Sequence, residues 1–154
     1  VVESIALTEP LARTCGVETV FTPPDEPIWI LGGRLRLQQV LVNILSNAID
    51  AMNGGQRKQI EIWTENVGDR VKIMIRDTGP GLPKADMDQV FEAFFTTKRS
   101  GAGMGLGLSI SYNIVEAFGG NLTAFNHDDG GAVFCVDLRR AESDESSENK
   151  LVAE

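Results

Sequence analysis

The chain has 154 residues, 42% of them hydrophobic and 23% charged, enough apolar material for one compact core. Its formal net charge of −8 leaves no basic footprint for a nucleic-acid partner, so any polyanion it binds must meet a local positive site. Cys15 and Cys135 lie far apart and outside any CxxC or Cys/His cluster, which argues against a metal cluster or a disulfide framework and fits a reducing cytoplasm. No apolar run reaches the length of a membrane span and no signal peptide opens the chain, so no direct membrane contact is expected. The first residue is not Met, and the chain is expected to be a segment of a longer protein whose anchor or sensor lies outside it.

The opening ESIALTEPLA is short and ambiguous. VETVFTPPDEPIWIL alternates in the manner of two strands around a Pro-rich turn. Residues 33–52 carry a strong helical period, and QIEIWTEN and RVKIMIRD read as a hairpin turning at Gly68 and Asp69. Residues 78–104 are rich in Gly, Pro, Thr and Lys around one apolar piece, VFEAFF; so long a loop predicts a lid or binding loop. GLSISYNIVEAFGG predicts an amphipathic helix closed by Gly119 and Gly120. NLTAFNH and GAVFCVDL predict a second hairpin across residues 128–131, and residues 141–154 form a polar, acidic tail expected to be disordered.

The helix over 33–52 has an unusual polar face. At about 100° per residue, Gln39, Asn43, Asn47 and Asp50 fall within an arc of roughly 80°. Leu37, Val40, Ile44, Leu45, Ala48 and Met52 occupy the other side. A solvated face is normally filled with Lys, Glu and Arg, whereas Asn is a poor helix former. Two Asn one turn apart therefore suggest amide oxygens aimed at a ligand, and such oxygens suit Mg²⁺ shared with phosphates. Asn43 is the first choice as metal ligand, with Asn47 behind it near the phosphates.

In RDTGPGLP, Asp77 ends a predicted strand and is followed by Gly79 and Gly81. Turn chemistry alone accounts for these residue types. A functional reading gives the carboxylate a chemical role, because ionised Asp only accepts hydrogen bonds. It can pair with the exocyclic amine of adenine and repels the oxygen that guanine carries there.

The run GAGMGLGLSI places a glycine at every second position before an apolar helix. Successive backbone N–H groups leading into a helix N-terminus form an anion site, and glycines let that backbone approach phosphate oxygens. The GxxxxGK[ST] loop is absent and the spacing is GxGxG rather than GxGxxG, so a nucleotide fold of another kind is required. Thr96, Thr97 and Lys98 precede the glycines; Lys98 is either a phosphate ligand or a solvated lysine. Phe91, Phe94 and Phe95 read as anchors packing the loop onto the core, or else as a docking face.

In this order the blocks QQVLVNILSNAIDA, DTGPGLP, VFEAFFTTK and GMGLGL resemble the asparagine, first glycine, phenylalanine and second glycine boxes of the catalytic, ATP-binding domain of bacterial sensor histidine kinases, a branch of the Bergerat-fold (GHKL) ATPases. The match covers residues 35–138, and FEAFFTTK followed by a short lid is similar to the nitrogen-regulation and C4-dicarboxylate-transport sensor kinases. The resemblance implies an α+β fold: a two-layer α/β sandwich with a mixed sheet covered on one face by helices, and a long ATP lid. Residues 1–140 would be the catalytic domain.

It further implies Mg²⁺ at Asn43, adenine read by Asp77 with Gly79 and Gly81 beside it, and ATP bordered by Asn47 and Asp50. Phosphates would be held by Thr97, Lys98 and the glycine box Gly103, Gly105, Leu106, Gly107 and Leu108. Asn43 and Lys98 would serve catalysis. The partners implied are a helical dimerisation and phosphoacceptor domain of the parent kinase and, indirectly, a response regulator. The setting implied is the cytoplasmic part of an inner-membrane sensor.

Two positions depart from the pattern. Gln39 stands where the superfamily often has Glu, and Gln cannot act as a general base, so slow hydrolysis is expected. His127, the one histidine of the chain, sits in the turn FNHDDGG rather than on a helical hairpin, so the phosphoacceptor is expected elsewhere. A serine kinase of the same fold and a nucleotide-dependent interaction module remain as alternatives.

Overall fold

The computed structural model describes residues 1–55, 57–85, 87, 89–95 and 105–141. The elements among them are α1 (Val2–Cys15), β1 (Glu18–Phe21), α2 (Arg34–Ala51), β2 (Gln59–Val67), β3 (Arg70–Asp77), α3 (Gly107–Ala117), β4 (Asn121–Asn126) and β5 (Ala132–Arg139). The strands form one sheet in the order β1-β2-β3-β5-β4. β1 runs parallel to β2 because α2 carries the chain across between them, and the other three pairings are antiparallel.

Gly68, at φ +63°, gives the β2–β3 turn the backbone sense that matches the twist of its strands. The resulting register sets Val67 opposite Arg70 and Ile60 opposite Asp77. Alternation then sorts the side chains. Ile60, Ile62, Val71, Ile73, Ile75, Phe134, Val136 and Leu138 face the helices and join Val40, Leu41, Ile44, Leu45, Ala48 and Ile49 of α2 in the main core. The other face of the sheet holds a small cluster of Trp63, Met74, Val133 and Cys135, flanked by the ion pairs Arg70–Asp137 at 2.7 Å and Arg76–Glu61 at 3.4 Å. A mixed sheet with helices on one face is the layering that the family resemblance implied.

Two segments differ from their sequence reading. The ambiguous opening is the helix α1, and the residues it buries are Ser4, Thr8 and Ala12 rather than an apolar stripe. The hydroxyl of Thr8 donates back to the carbonyls of Ser4 and Ile5, both at 3.1 Å, so it enters the interior already bonded. Gly16, at φ +69°, ends the helix in the left-handed conformation. The second difference is in the Pro-rich segment, where only β1 forms a strand. Beyond Pro23, Pro24 and Pro27, pairing shrinks to one bridge between Ile30 and Arg140, because proline brings no N–H to a ladder. Residues 142–154 of the expected tail lie outside the described residues. No described helix is long and apolar enough to cross a membrane.

Ile44 is 0% exposed at the centre of the contact between α2 and the sheet. Ile44→Ala is expected to lower the free energy of unfolding by about 2–5 kcal/mol with an unchanged denaturant slope. A loss below about 1 kcal/mol in urea titration would contradict this packing.

Candidate functional site

The polar stripe of α2 meets α3 at Asn43. Asn43 and Asn47 are half-buried, while Gln39 and Asp50 are exposed. The amide Nδ2 of Asn43 donates to Ser111 Oγ at 3.0 Å. Its Oδ1 lies 2.3 Å from the place a Cβ on Gly107 would occupy, so any side chain there would displace the Asn43 amide. Gly107 and Ser111 stand one turn apart on α3 and thus face Asn43 together. A cavity of about 300 Å³ opens beside them, between Gln39, Asn43 and Ser46 on α2 and Gly107 and Ile110 on α3.

Asp77 closes the helix-facing side of β3 and is 3% exposed. Its Oδ1 accepts the backbone N–H of Gly79 at 2.8 Å and of Ala132 at 3.3 Å. Burial pushes its pKa above the ordinary carboxylate value, and these two N–H groups and the charge of Arg76 only partly oppose the rise. A Cβ on Gly79 would meet Asp77 Oδ1 at 2.9 Å and the carbonyl of Ala51 at 3.4 Å, so the turn lies against the C-terminal end of α2. Gly81, at φ +77°, packs on Asn126, whose side chain brackets the peptide of Leu82: Oδ1 accepts its N–H at 2.7 Å and Nδ2 donates to its carbonyl at 2.8 Å. Thr78 Oγ1 accepts the N–H of Gln59 at 3.0 Å and donates to the carbonyl of Arg57 at 2.9 Å.

The two stems of the long loop meet. The N–H of Phe94 donates to the carbonyl of Gly105 at 3.0 Å, and a Cβ on Gly105, at φ +67°, would stand 2.5 Å from the carbonyl oxygen of Phe95. Leu106 caps α3, Gly107 is its first residue, and Leu108 packs against the core. Thr96, Thr97, Lys98 and Gly103 lie outside the described residues. Phe91 is an anchor as expected, its ring 5.6 Å from that of Tyr112 and 6.5 Å from that of Phe134. Phe94 is not an anchor. It is 74% exposed, with φ +67°, a conformation uncommon for a bulky residue.

The structure thus groups the candidate residues into two cradles along α2. Asn43 meets Gly107 at the middle of the helix, and Asp77, Gly79 and Gly81 gather at its C-terminal end. Ser111, Asn126 and Thr78 hold these cradles and were missed by sequence reasoning. Thr78 sits inside the block DTGPGLP and Ser111 inside the helix predicted over GLSISYNIVEAFGG; Asn126 ends a strand with nothing local to mark its bracketing role. A larger cavity, about 420 Å³, lies between Arg57, Glu61, Arg76, Thr78, Gly79 and Asp129, and only Gly79 belongs to the candidate set. His127 Nδ1 accepts the N–H of Asp129 at 3.1 Å, the part of a turn residue. Among the described residues no three His, Cys, Asp or Glu side chains converge to hold a metal ion.

A carboxyl with a raised pKa binds its proton more tightly folded than unfolded. Ionising Asp77 therefore costs stability, and the cost develops as pH rises from the ordinary value of 3.8 through the raised one. Asp77→Asn, of the same shape, removes it. The stability difference between variant and wild type is expected to shift in favour of the variant across that window and then level off. Urea titrations at a series of pH values check this, and a shift the other way would show that Asp77 is depressed instead.

Residues 32–142 match the family described as Histidine kinase-, DNA gyrase B-, and HSP90-like ATPase. The chain is 36% identical over 138 residues to the C4-dicarboxylate transport sensor protein DctB of Pseudomonas aeruginosa, an alignment covering 88% of this chain and 22% of that protein. The chain thus spans about a fifth of the length of this relative. Its fold matches the nucleotide-free catalytic domain of histidine kinase ThkA with a TM-score of 0.79 at 32% identity, covering 90% of this chain and 88% of that one. It also matches full-length ShkA in complex with AMPPNP, with a TM-score of 0.79 at 27% identity over 92% of this chain and 29% of that one. With the asparagine helix, the buried aspartate and the glycine-led third helix in the order that the sequence resemblance implied, the chain belongs to the histidine kinase, gyrase B and HSP90-like ATPase family.

Proposed function

We propose that residues 1–140 are the catalytic domain of a two-component sensor kinase, which binds ATP with Mg²⁺ and donates its γ-phosphoryl group to a histidine on a separate helical dimerisation domain. The observation that carries this reading is Asp77. Both of its hydrogen bonds from described residues fall on Oδ1, which leaves Oδ2 of a buried carboxylate to accept a donor from a ligand. The exocyclic amine of adenine is such a donor, and the corresponding oxygen of guanine is not.

From this end the nucleotide runs along α2. Eight residues separate Asn43 from Ala51, beside Gly79, which is about 12 Å of helix and room for the ribose and phosphates past Asn47 and Asp50. At the far end, the oxygen of Asn43 beside the Cβ-free Gly107 fits Mg²⁺, a hard cation that accepts an amide oxygen together with phosphate oxygens and water. When bound, Mg²⁺ would offset negative charge on the phosphates. The N-terminus of α3, with Gly105, Leu106, Gly107 and Leu108, brings backbone N–H groups to the same place, and Gly103, Thr97 and Lys98, which lie outside the described residues, would add their donors to the phosphate site.

A neutral imidazole nitrogen would attack the γ-phosphorus as the bond to the bridging oxygen breaks. ADP leaves and the imidazole sheds its proton. Such a nucleophile needs little help from a base, consistent with Gln39 standing exposed one turn before Asn43. An aspartate on a response regulator would then accept the phosphoryl group. The parent protein would be an inner-membrane sensor with this domain in the cytoplasm.

The exposed ring of Phe94 supports a second reading, in which ATP only orders the phenylalanine segment for a partner. Incubation with γ-³²P-labelled ATP and the helical domain supplied in trans separates the two. Label should move to the helical domain and be lost in mild acid, as phosphohistidine is. Acid-stable label would identify a serine kinase, and ATP binding without any transfer would leave the interaction module.

A further inference from the structure

The geometry points to Ser111 as the positioning residue that orients the carboxamide of Asn43 for its cation, an inference that rests on the reading of Asn43 as the Mg²⁺ ligand. A carboxamide has two ends of nearly equal size, and only the oxygen end serves a cation. With its Nδ2 turned toward the metal, Asn43 would present partial positive charge to a positive ion. Something must therefore hold the nitrogen away.

Ser111 does so with its oxygen. Its Oγ accepts from Asn43 Nδ2 at 3.0 Å, and Ser111 is 1% exposed, so bulk water does not compete for that bond. The other end of the amide faces the first residue of α3. There the unpaired N–H groups of the helix carry partial positive charge, which favours an oxygen over an NH₂. Gly107 supplies the space, since a Cβ there would stand 2.3 Å from Oδ1. One helix thus fixes both ends of the amide with two residues a turn apart: room and field at Gly107, and an acceptor at Ser111. The same helix starts two residues after Gly105, whose carbonyl takes the N–H of Phe94, so the amide of Asn43 is tied to the element that terminates the lid.

The test measures ATP affinity by calorimetry, with EDTA and across a Mg²⁺ series, for wild type, Ser111→Ala and Asn43→Ala. In Ser111→Ala the affinity in EDTA is expected to stay within about twofold of wild type, while the Mg²⁺ concentration needed for half of the metal-dependent tightening rises about tenfold. The side-chain NH₂ signals of Asn43, identified as the pair missing in Asn43→Ala, are expected to shift in nucleotide-free Ser111→Ala, a change that loss of packing elsewhere would not produce. An unchanged Mg²⁺ profile in Ser111→Ala beside an impaired Asn43→Ala overturns the role of Ser111 alone. So does an equal loss with and without Mg²⁺, which marks a packing defect. A wild-type profile in Asn43→Ala overturns the metal assignment itself, and this inference with it.

Discussion

A carboxylate kept out of water is the constraint around which the rest of the molecule is arranged. Asp77 lies on the buried side of the sheet, and its position depends on the pairing of β3 with β2 and β5. Ala132, at the start of β5, gives it an N–H, and Gly131 just before approaches so closely that a Cβ would lie 1.8 Å from the Asp77 carbonyl oxygen. The β4–β5 hairpin, the turn through Gly79 and the last turn of α2 therefore converge on one side chain. Its charge is only partly compensated: Arg76 lies on the opposite face, and its own Nε is buried with no hydrogen-bond partner among the described residues. A charge under-served in the free state gains most from a ligand's donors, so the cost of burying Asp77 would make it selective in the proposed role.

The second cradle works in the opposite sense. Asp77 is rigidly held by strands, whereas Asn43 is held by a helix whose start is also the end of a long loop. Only Leu106 separates Gly105, bonded to Phe94 at the stems of that loop, from Gly107, which lies against Asn43. In the function proposed, base recognition would sit on the strand-held part of the fold and phosphate chemistry on the part joined to the loop, a division that would suit a domain holding ATP until an acceptor is presented.

The sequence made the sheet and α2 plain because they obey their periods. Ile60 and Ile62, and Val71, Ile73 and Ile75, alternate across one face, and α2 buries Val40, Ile44 and Ala48 at helical spacing. It concealed α1, whose buried face is Ser4, Thr8 and Ala12 and which contains Pro10. Hydroxyls bonded back to their own helix pass unnoticed in a search for apolar stripes. The alternation through residues 17–31 misled for the reverse reason: the apolar pattern was present, but three prolines removed donors a second strand needed. Within the site, the residues with a chemical reason at their own position, Asn43 and Asp77, stood out. Ser111 and Asn126 did not, because each acts on a residue more than 40 positions away: Ser111 at 68 from Asn43, and Asn126 at 44 from Leu82. Nothing local distinguishes them from ordinary polar residues.

The central claim is that Asp77 reads adenine, and the most direct measurement is a calorimetric titration of wild type and Asp77→Asn with ATP and with GTP. The account predicts that wild type binds ATP and not GTP. It predicts that Asp77→Asn, although folded, loses ATP binding at least about tenfold, the cost of one charge-assisted hydrogen bond. Equal affinity of wild type for the two nucleotides, or an Asp77→Asn variant that binds ATP as tightly as wild type, would contradict it.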